Sequence, residues 1–321
     1  MYGSVVRTDE YKRRLCDFIR HEYAITAAAL TPAKRGYYGE TWRLDASGQS
    51  YFLKLDYSAA HKAVYERSFA VVEHLRGHGV GCISRIVKTA DGRLYSRFDG
   101  AVLGIFDWVD GENVQNERTK IAEYGILGQV YAVEAGGLSI ARDSFSTQSA
   151  DLFFWQWKKI KESADRAGGR IVSVIDQHRE RLFQRAQRLA LFAKRCSADT
   201  SHFYITHGDA GGNVIVNGDD FYIVDWDDPR LAPPERDAWF CLYWDWAAAA
   251  FHDALDKNGI DYTLRCERLA YYCYHSFFHY LNEYMETYFD RGDPQEALSD
   301  SLSQFFNGWI EEEIRYADMM F

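Results

Sequence analysis

Residues 203–229 read FYITHGDAGGNVIVNGDDFYIVDWDDP, and this stretch decides the fold. Two short apolar runs, Val214–Val216 and Tyr222–Val224, flank the turn sequence Asn217-Gly218-Asp219-Asp220, so the segment reads as a β-hairpin. A hairpin sets its two ends side by side. Asn213 and Asp225 therefore become neighbours although twelve residues separate them in the chain. An amide carbonyl beside a carboxylate is a hard oxygen pair that suits Mg²⁺, an ion that keeps several waters and also binds nucleotide phosphates. Asp209, four residues before Asn213, can accept a proton from an attacking hydroxyl. Gly208, Gly211 and Gly212 let the loop run close to phosphates and substrate. The bland alternative is a turn-rich hairpin with polar caps, and the carboxylate closing the second strand is what that alternative leaves unexplained. His207 is read as a scaffold residue, hydrogen-bonded within the loop.

Phosphoryl transfer also needs a cation on the phosphates. Lys54 lies inside the apolar run Phe52-Leu53-Lys54-Leu55, where a lysine requires a reason. A solvent-facing place on an alternating strand is one such reason; a bound nucleotide is the other. Glu66, twelve residues on and in the following helix, is the expected partner of Lys54, with Glu73 as its competitor. The loop Gly36-Tyr37-Tyr38-Gly39 can close over phosphates through its backbone N–H groups, which makes Tyr38 and Gly39 nucleotide-binding candidates.

Outward from these motifs, the first hundred residues are strand-rich. Strands are expected at Ala27–Leu30, Thr41–Leu44, Tyr51–Leu55, Leu94–Phe98 and Ala101–Phe106, the last two joined by the turn Asp99-Gly100. Helical spacing marks residues 8–23 (Tyr11, Leu15, Phe18, Ile19) and 60–77 (Val64, Phe69, Val72, Leu75). After Val109-Asp110-Gly111 the pattern turns to long helices, at 117–135, 150–165 and 174–195, and from Asp237 onward. The expected architecture is α+β and bilobal: a small β-rich N-lobe over residues 1–108 that binds nucleotide, and a large α-helical C-lobe over residues 109–321 for catalysis and substrate. Ligands usually sit in the cleft of such a pair.

Composition restricts the partners. Lys and Arg number 37 against 47 Asp and Glu, a net charge of −10, which disfavours nucleic acid and anionic membrane and favours a cationic ligand. Six scattered cysteines without C-x-x-C spacing suggest reduced thiols in a cytoplasmic protein rather than a zinc site. No apolar run is long enough to cross a bilayer, and the first residues do not read as a signal peptide.

The motifs His207-Gly208-Asp209-x-x-x-Asn213 and Asp225-Trp226-Asp227, with the strand Lys54 and the Asp237 that opens a later helix, resemble the aminoglycoside phosphotransferase and choline kinase superfamily. The run from Val224 to Asp237, VDWDDPRLAPPERD, looks closest to spectinomycin phosphotransferases. The resemblance implies a protein-kinase-like fold and transfer from ATP or GTP with Mg²⁺. It assigns Asp209 as catalytic carboxylate, Asn213 and Asp225 as metal ligands, and Lys54, supported by Glu66, as the holder of the α/β-phosphates. It further implies adenine at the hinge residues Phe106, Asp107 and Val109, and a bracing role for Asp237 under the catalytic loop. Two departures are Ala210-Gly211 after the catalytic Asp and the absence of a Leu-His ending in the helix around Leu127–Ala132.

A small cationic acceptor bearing a hydroxyl fits the charge. Asp227 and Glu235 stand just beyond the metal Asp, and Trp226 can add a cation–π face. The expected function is modification of an aminoglycoside or aminocyclitol antibiotic such as spectinomycin, hence resistance, by a monomer or homodimer. The alternatives are a kinase of a choline- or homoserine-like metabolite and an inactive kinase fold that only binds. The complete set of Lys54, Asp209, Asn213 and Asp225 argues against the last.

Overall fold

The computed structural model describes residues 7–33, 39–163, 168–242, 244–291 and 295–321. The chain begins with α1 (Asp9–Tyr23), β1 (Ala27–Pro32), β2 (Glu40–Ala46), β3 (Gln49–Asp56), α2 (Ala59–Gly77), β4 (Ser96–Phe98), β5 (Ala101–Asp107), β6 (Glu112–Asn113) and α3 (Glu117–Tyr131). It continues with β7 (Ala141–Arg142), α4 (Gln148–Ser163), α5 (Gly168–Gln177), α6 (Arg179–Cys196), β8 (Tyr204–Thr206), β9 (Val214–Asn217), β10 (Asp220–Ile223) and β11 (Arg230–Ala232). The last elements are α7 (Glu235–Ala238), α8 (Asp245–Lys257), α9 (Cys266–Arg291), α10 (Gln295–Asn307) and α11 (Trp309–Met320). Two compact units form: residues 1–141 with 204–231, and residues 142–203 with 232–321.

In the first unit a five-stranded antiparallel sheet runs β1-β2-β3-β5-β4. Strand alternation divides the side chains of β3 between its two faces. Leu53 and Leu55 are fully buried in a core with Tyr11, Leu15 and Ile19 of α1 and Leu103 and Ile105 of β5. Each such leucine contributes about 1.5–3 kcal/mol of burial. Helix α1 starts where Thr8 Oγ1 accepts the Tyr11 N–H at 3.2 Å, and its buried positions recur every four residues, at Tyr11, Leu15, Ile19 and Tyr23. Phe52, Lys54 and Asp56 alternate onto the opposite face, where α2 lies against β5 through Phe69 and Phe106, ring centroids 5.7 Å apart. Gly104, the β5 partner of Lys54, makes this possible, because a Cβ there would stand 2.6 Å from the Phe69 ring. The turn at Asp99 (φ 47°) and Gly100 (φ 85°) closes the β4–β5 hairpin as its sequence requires. A second small sheet in this unit, β10-β9-β6, carries the 214–223 hairpin.

The second unit is helical. α9 packs against α4 and α6, with Phe153 of α4 5.8 Å from Phe278 of α9. Arg185 of α6, almost wholly buried, is held by Glu311 (2.7 and 2.8 Å) and Asp318 (2.8 and 3.2 Å) of α11. The single helix expected over 174–195 is instead two, α5 and α6, broken at His178 (φ −106°, ψ 7°), whose ring stacks on Phe306 at 4.2 Å. Among the described residues no helix is long and apolar enough to cross a membrane.

Candidate active site

Strand register builds the site. Ile223 faces Val214 across the hairpin, and the Val224 N–H donates to the Asn213 carbonyl at 3.0 Å, so Asp225 emerges one residue past Asn213. The Asn213 side-chain amide donates to the Asp209 carbonyl (2.7 Å) and to Asp209 Oδ2 (3.2 Å). That engages the nitrogen end of Asn213 and leaves its carbonyl oxygen as the donor for a cation. His207 is 3% exposed and both ring nitrogens are in use: Nδ1 accepts the Asp209 N–H at 3.2 Å, and Nε2 donates to the Val224 carbonyl at 3.0 Å. The imidazole thus ties the 207–213 loop to the residue that follows β10. Asp225 sits at φ 63°, left-handed backbone that costs a non-glycine residue about 1–2 kcal/mol. The strain turns the chain sharply, and the Asp227 N–H donates to the Asp225 carbonyl at 2.9 Å.

Lys54 reaches this corner from β3. Its Nζ lies 2.6 Å from Asp225 Oδ1 and 2.5 Å from Asp227 Oδ2, and the Tyr65 hydroxyl donates to the same Asp227 oxygen at 2.9 Å. Burial works against the Lys54 charge, but Asp227 and Asp225 outweigh it, so its pKa rises well above the usual lysine range and the ammonium persists. Burial also opposes ionisation of Asp225, and Lys54 more than reverses that, leaving the carboxyl below its ordinary range. For Asp227, burial and then the charge of Asp225 win over Lys54, and its pKa is raised.

A layer beneath the loop escapes sequence reading. Asn113 of β6 donates to the Gly212 carbonyl (2.6 Å) and the Val214 carbonyl (3.1 Å), and Gln115 donates to the Gly211 carbonyl at 3.3 Å. On α3 Lys120 Nζ is paired at 2.8 Å with Glu123, whose side chain is 2% exposed. A Cβ on Gly211 would stand 2.9 Å from that ammonium, so a larger residue there would push the flexible end of Lys120 aside.

Several expectations need correction. Glu66 does not meet Lys54: it is bonded to Arg97 at 2.6 Å, and the competitor Glu73 to Lys88 at 2.5 Å. Tyr65 occupies the helix position that faces Lys54, and Glu66, a hundred degrees further round α2, points elsewhere. Asp227 accepts from Lys54 and Tyr65 through Oδ2. Trp226, 6% exposed, packs edge-on against His207 at 4.6 Å and donates its indole N–H to the Ile223 carbonyl, so it presents no open cation–π face. Glu235, in the second unit, is fully buried and accepts from the Tyr262 hydroxyl (2.8 and 3.0 Å) and the Arg265 N–H (2.7 Å). The Asp107 N–H donates to the Arg85 carbonyl (2.9 Å), and its carbonyl accepts from Ser84 (2.7 Å) with a second lone pair to spare. Phe106 is half-buried and paired with Phe52 across the sheet, and Val109 follows beyond the strand. Gly39 directly precedes β2, and Tyr38 lies outside the described residues. Asp237 is buried on α7 of the second unit.

Among the described residues no three His, Cys, Asp or Glu side chains converge as a metal cage. The available donor set is one carboxylate and one amide oxygen. It fits a hard cation such as Mg²⁺ completed by water and phosphate.

A family model described as the phosphotransferase enzyme family (APH) matches residues 29–269. Among curated proteins, none matches the chain. The fold is similar to that of a spectinomycin phosphotransferase in complex with ADP and spectinomycin, at TM-score 0.79 and 17% identity over 95% of this chain and 97% of that one. It is also similar to an amicoumacin kinase in complex with AMP-PNP and Ca²⁺ (0.64, 13% identity, 97% and 94% covered). An aminoglycoside phosphotransferase from Alicyclobacillus acidocaldarius gives 0.57 at 16% identity, with 97% and 98% covered. At such identities the likeness is one of fold.

Proposed function

The chain belongs to the phosphotransferase enzyme family, and from that premise we propose that it transfers the terminal phosphoryl group of ATP or GTP to a hydroxyl of a small cationic acceptor, an aminoglycoside or aminocyclitol such as spectinomycin. The observation that carries this reading is the junction of Lys54, Asp225, Asn213 and Asp209: an ion pair at 2.6 Å, a hairpin register and an amide that bonds Asp209. Asp209 receives the acceptor's hydroxyl proton as the new O–P bond forms and the bond to the leaving nucleotide phosphate breaks. Lys54 orients the α/β-phosphates and offsets their charge, and Asn113 and Gln115 hold the loop in place for the attack. Asn213 and Asp225 would hold Mg²⁺, which neutralises charge on the phosphates when bound. The Asp107 carbonyl and the Val109 peptide would offer hydrogen bonds to the base.

The cationic acceptor is supported by the net charge of −10 and by the fold shared with the spectinomycin and amicoumacin enzymes. Since Glu235 and Trp226 are engaged internally, Asp227 is the one of the three expected acceptor contacts that remains open to it. Six free cysteines fit a reducing, cytoplasmic setting. The test is ADP release with Mg·ATP across spectinomycin, other aminocyclitols, aminoglycosides, choline and homoserine. Turnover with an aminocyclitol or aminoglycoside, lost in Asp209→Ala, is expected. Turnover only with choline or homoserine would overturn the acceptor class, and undiminished turnover in Asp209→Ala would overturn the mechanism.

A further inference from the structure

No carboxylate of α2 attends Lys54, because Glu66 is committed to Arg97. The residue of that helix that does attend it is Tyr65, 5% exposed. Its hydroxyl donates at 2.9 Å to Asp227 Oδ2, the oxygen that accepts from Lys54 Nζ at 2.5 Å. Its ring face lies 5.2 Å from the same Nζ. The ring is itself fixed by neighbours: His61 at 6.5 Å and Phe69 at 6.2 Å, and Phe69 occupies the space that Gly104 leaves.

We propose that Tyr65, acting through Asp227, is the residue that positions Lys54 for the nucleotide phosphates, in the place where a helix carboxylate would otherwise stand. This rests on the phosphotransfer reading above. Lys54 bonds two carboxylates, and one of them, Asp225, is the proposed metal ligand. Once a metal and phosphates engage Asp225, Asp227 is the anchor that remains, and a four-carbon lysine stem with a single unsupported anchor has many rotamers to lose. The Tyr65 hydrogen bond and ring fix that anchor. A phenol also does so without adding charge. Lys54 with Asp225 and Asp227 already sums to one negative charge, and a glutamate at position 65 would add another beside a polyanion, in a chain already at −10.

The experiment is calorimetric titration with Mg·AMP-PNP of the wild type, Tyr65→Phe, Lys54→Met and the double variant. Tyr65→Phe keeps the ring and removes only the hydroxyl. It is expected to bind about tenfold more weakly than wild type, the scale of a hydrogen bond to a charged group. In the Lys54→Met background the same change is expected to cost nothing, because the lysine it positions is gone; a tyrosine that merely supported the fold would weaken both backgrounds alike. Equal loss in both backgrounds, or binding by Tyr65→Phe as tight as wild type, overturns the inference and leaves the phosphotransfer reading standing. A wild type that does not bind Mg·AMP-PNP overturns both. If circular dichroism shows Tyr65→Phe unfolded, Asp227→Asn runs the same cycle from the other end of the hydrogen bond, with the same expected and contrary results.

Discussion

Replacing Lys54 with Met separates two roles that a buried lysine can have. Its ammonium lies 2.6 Å from Asp225 and 2.5 Å from Asp227, and each contact is worth about 6 kcal/mol of gross attraction at an effective dielectric near 20. Most of that is cancelled by the cost of taking the charges out of water. Removing one partner of a fully buried pair costs about 3–5 kcal/mol, but these carboxylates are 41% and 36% exposed and water can reach them. A net stability loss of about 1–2 kcal/mol follows. At about 2–4 °C per kcal/mol, Tm falls by roughly 2–8 °C. The loss of phosphate stabilisation is larger, about 10²–10³-fold in turnover. The assays are a thermal melt followed by steady-state ADP release with the acceptor that supports turnover. A large drop in turnover on a nearly intact fold is expected. Unchanged turnover would refute the assignment, and a fall in Tm of about 20 °C or more would make Lys54 chiefly a structural residue.

Three further outcomes test the surroundings. Gly211→Ala pushes the flexible end of Lys120 aside and leaves the bond from Asn113 to the loop in place, so turnover and Mg·AMP-PNP affinity, by calorimetry, should each stay within about twofold, and a fall in turnover of about tenfold would contradict this. Glu235→Ala removes the buried acceptor of Tyr262 and Arg265, whose neighbour Arg268 donates to the Tyr262 hydroxyl at 2.8 Å. It should cost about 3 kcal/mol of stability in denaturant titration without raising the acceptor KM, whereas a role in acceptor binding would show as a raised KM. Glu311 is opposed by burial, but Arg185 and Arg181 more than compensate, and its pKa lies below the ordinary glutamate value. A depressed carboxyl stabilises above its unfolded pKa and loses that contribution as pH falls through the folded one. Tm should therefore drop as pH is lowered below about 4.5, less steeply in Arg185→Leu than in wild type, and equal slopes would contradict this.

Features set by local pattern are legible in the chain. Strand alternation around Lys54, the Asp99-Gly100 turn and the hairpin after Asn213 each follow from neighbouring residues, and the structure brings Lys54, Asp209, Asn213 and Asp225 to one corner. What escapes reading depends on distant partners. Glu66 and Tyr65 are adjacent on one helix, and only the way α2 lies on the sheet, admitted by Gly104, decides which of them faces Lys54. Glu235 looks like a solvated acid beside a proline run, yet Tyr262 and Arg265, about thirty residues on, bury it. Trp226 suggests an open aromatic face until His207 closes over it. The break at His178 has no glycine or proline to announce it. Lys120 and Glu123 read as ordinary helix charges because the glycine above them is ninety residues away in sequence.

The most direct measurement is the affinity of Mg·AMP-PNP for the wild type, Asp209→Ala and Asp225→Ala, by titration calorimetry. Under the proposed roles, wild type and Asp209→Ala should bind alike, with Asp209 directed to the acceptor, while Asp225→Ala should bind at least tenfold more weakly through loss of the proposed metal ligand. An Asp225→Ala protein that binds as tightly as wild type would contradict the account.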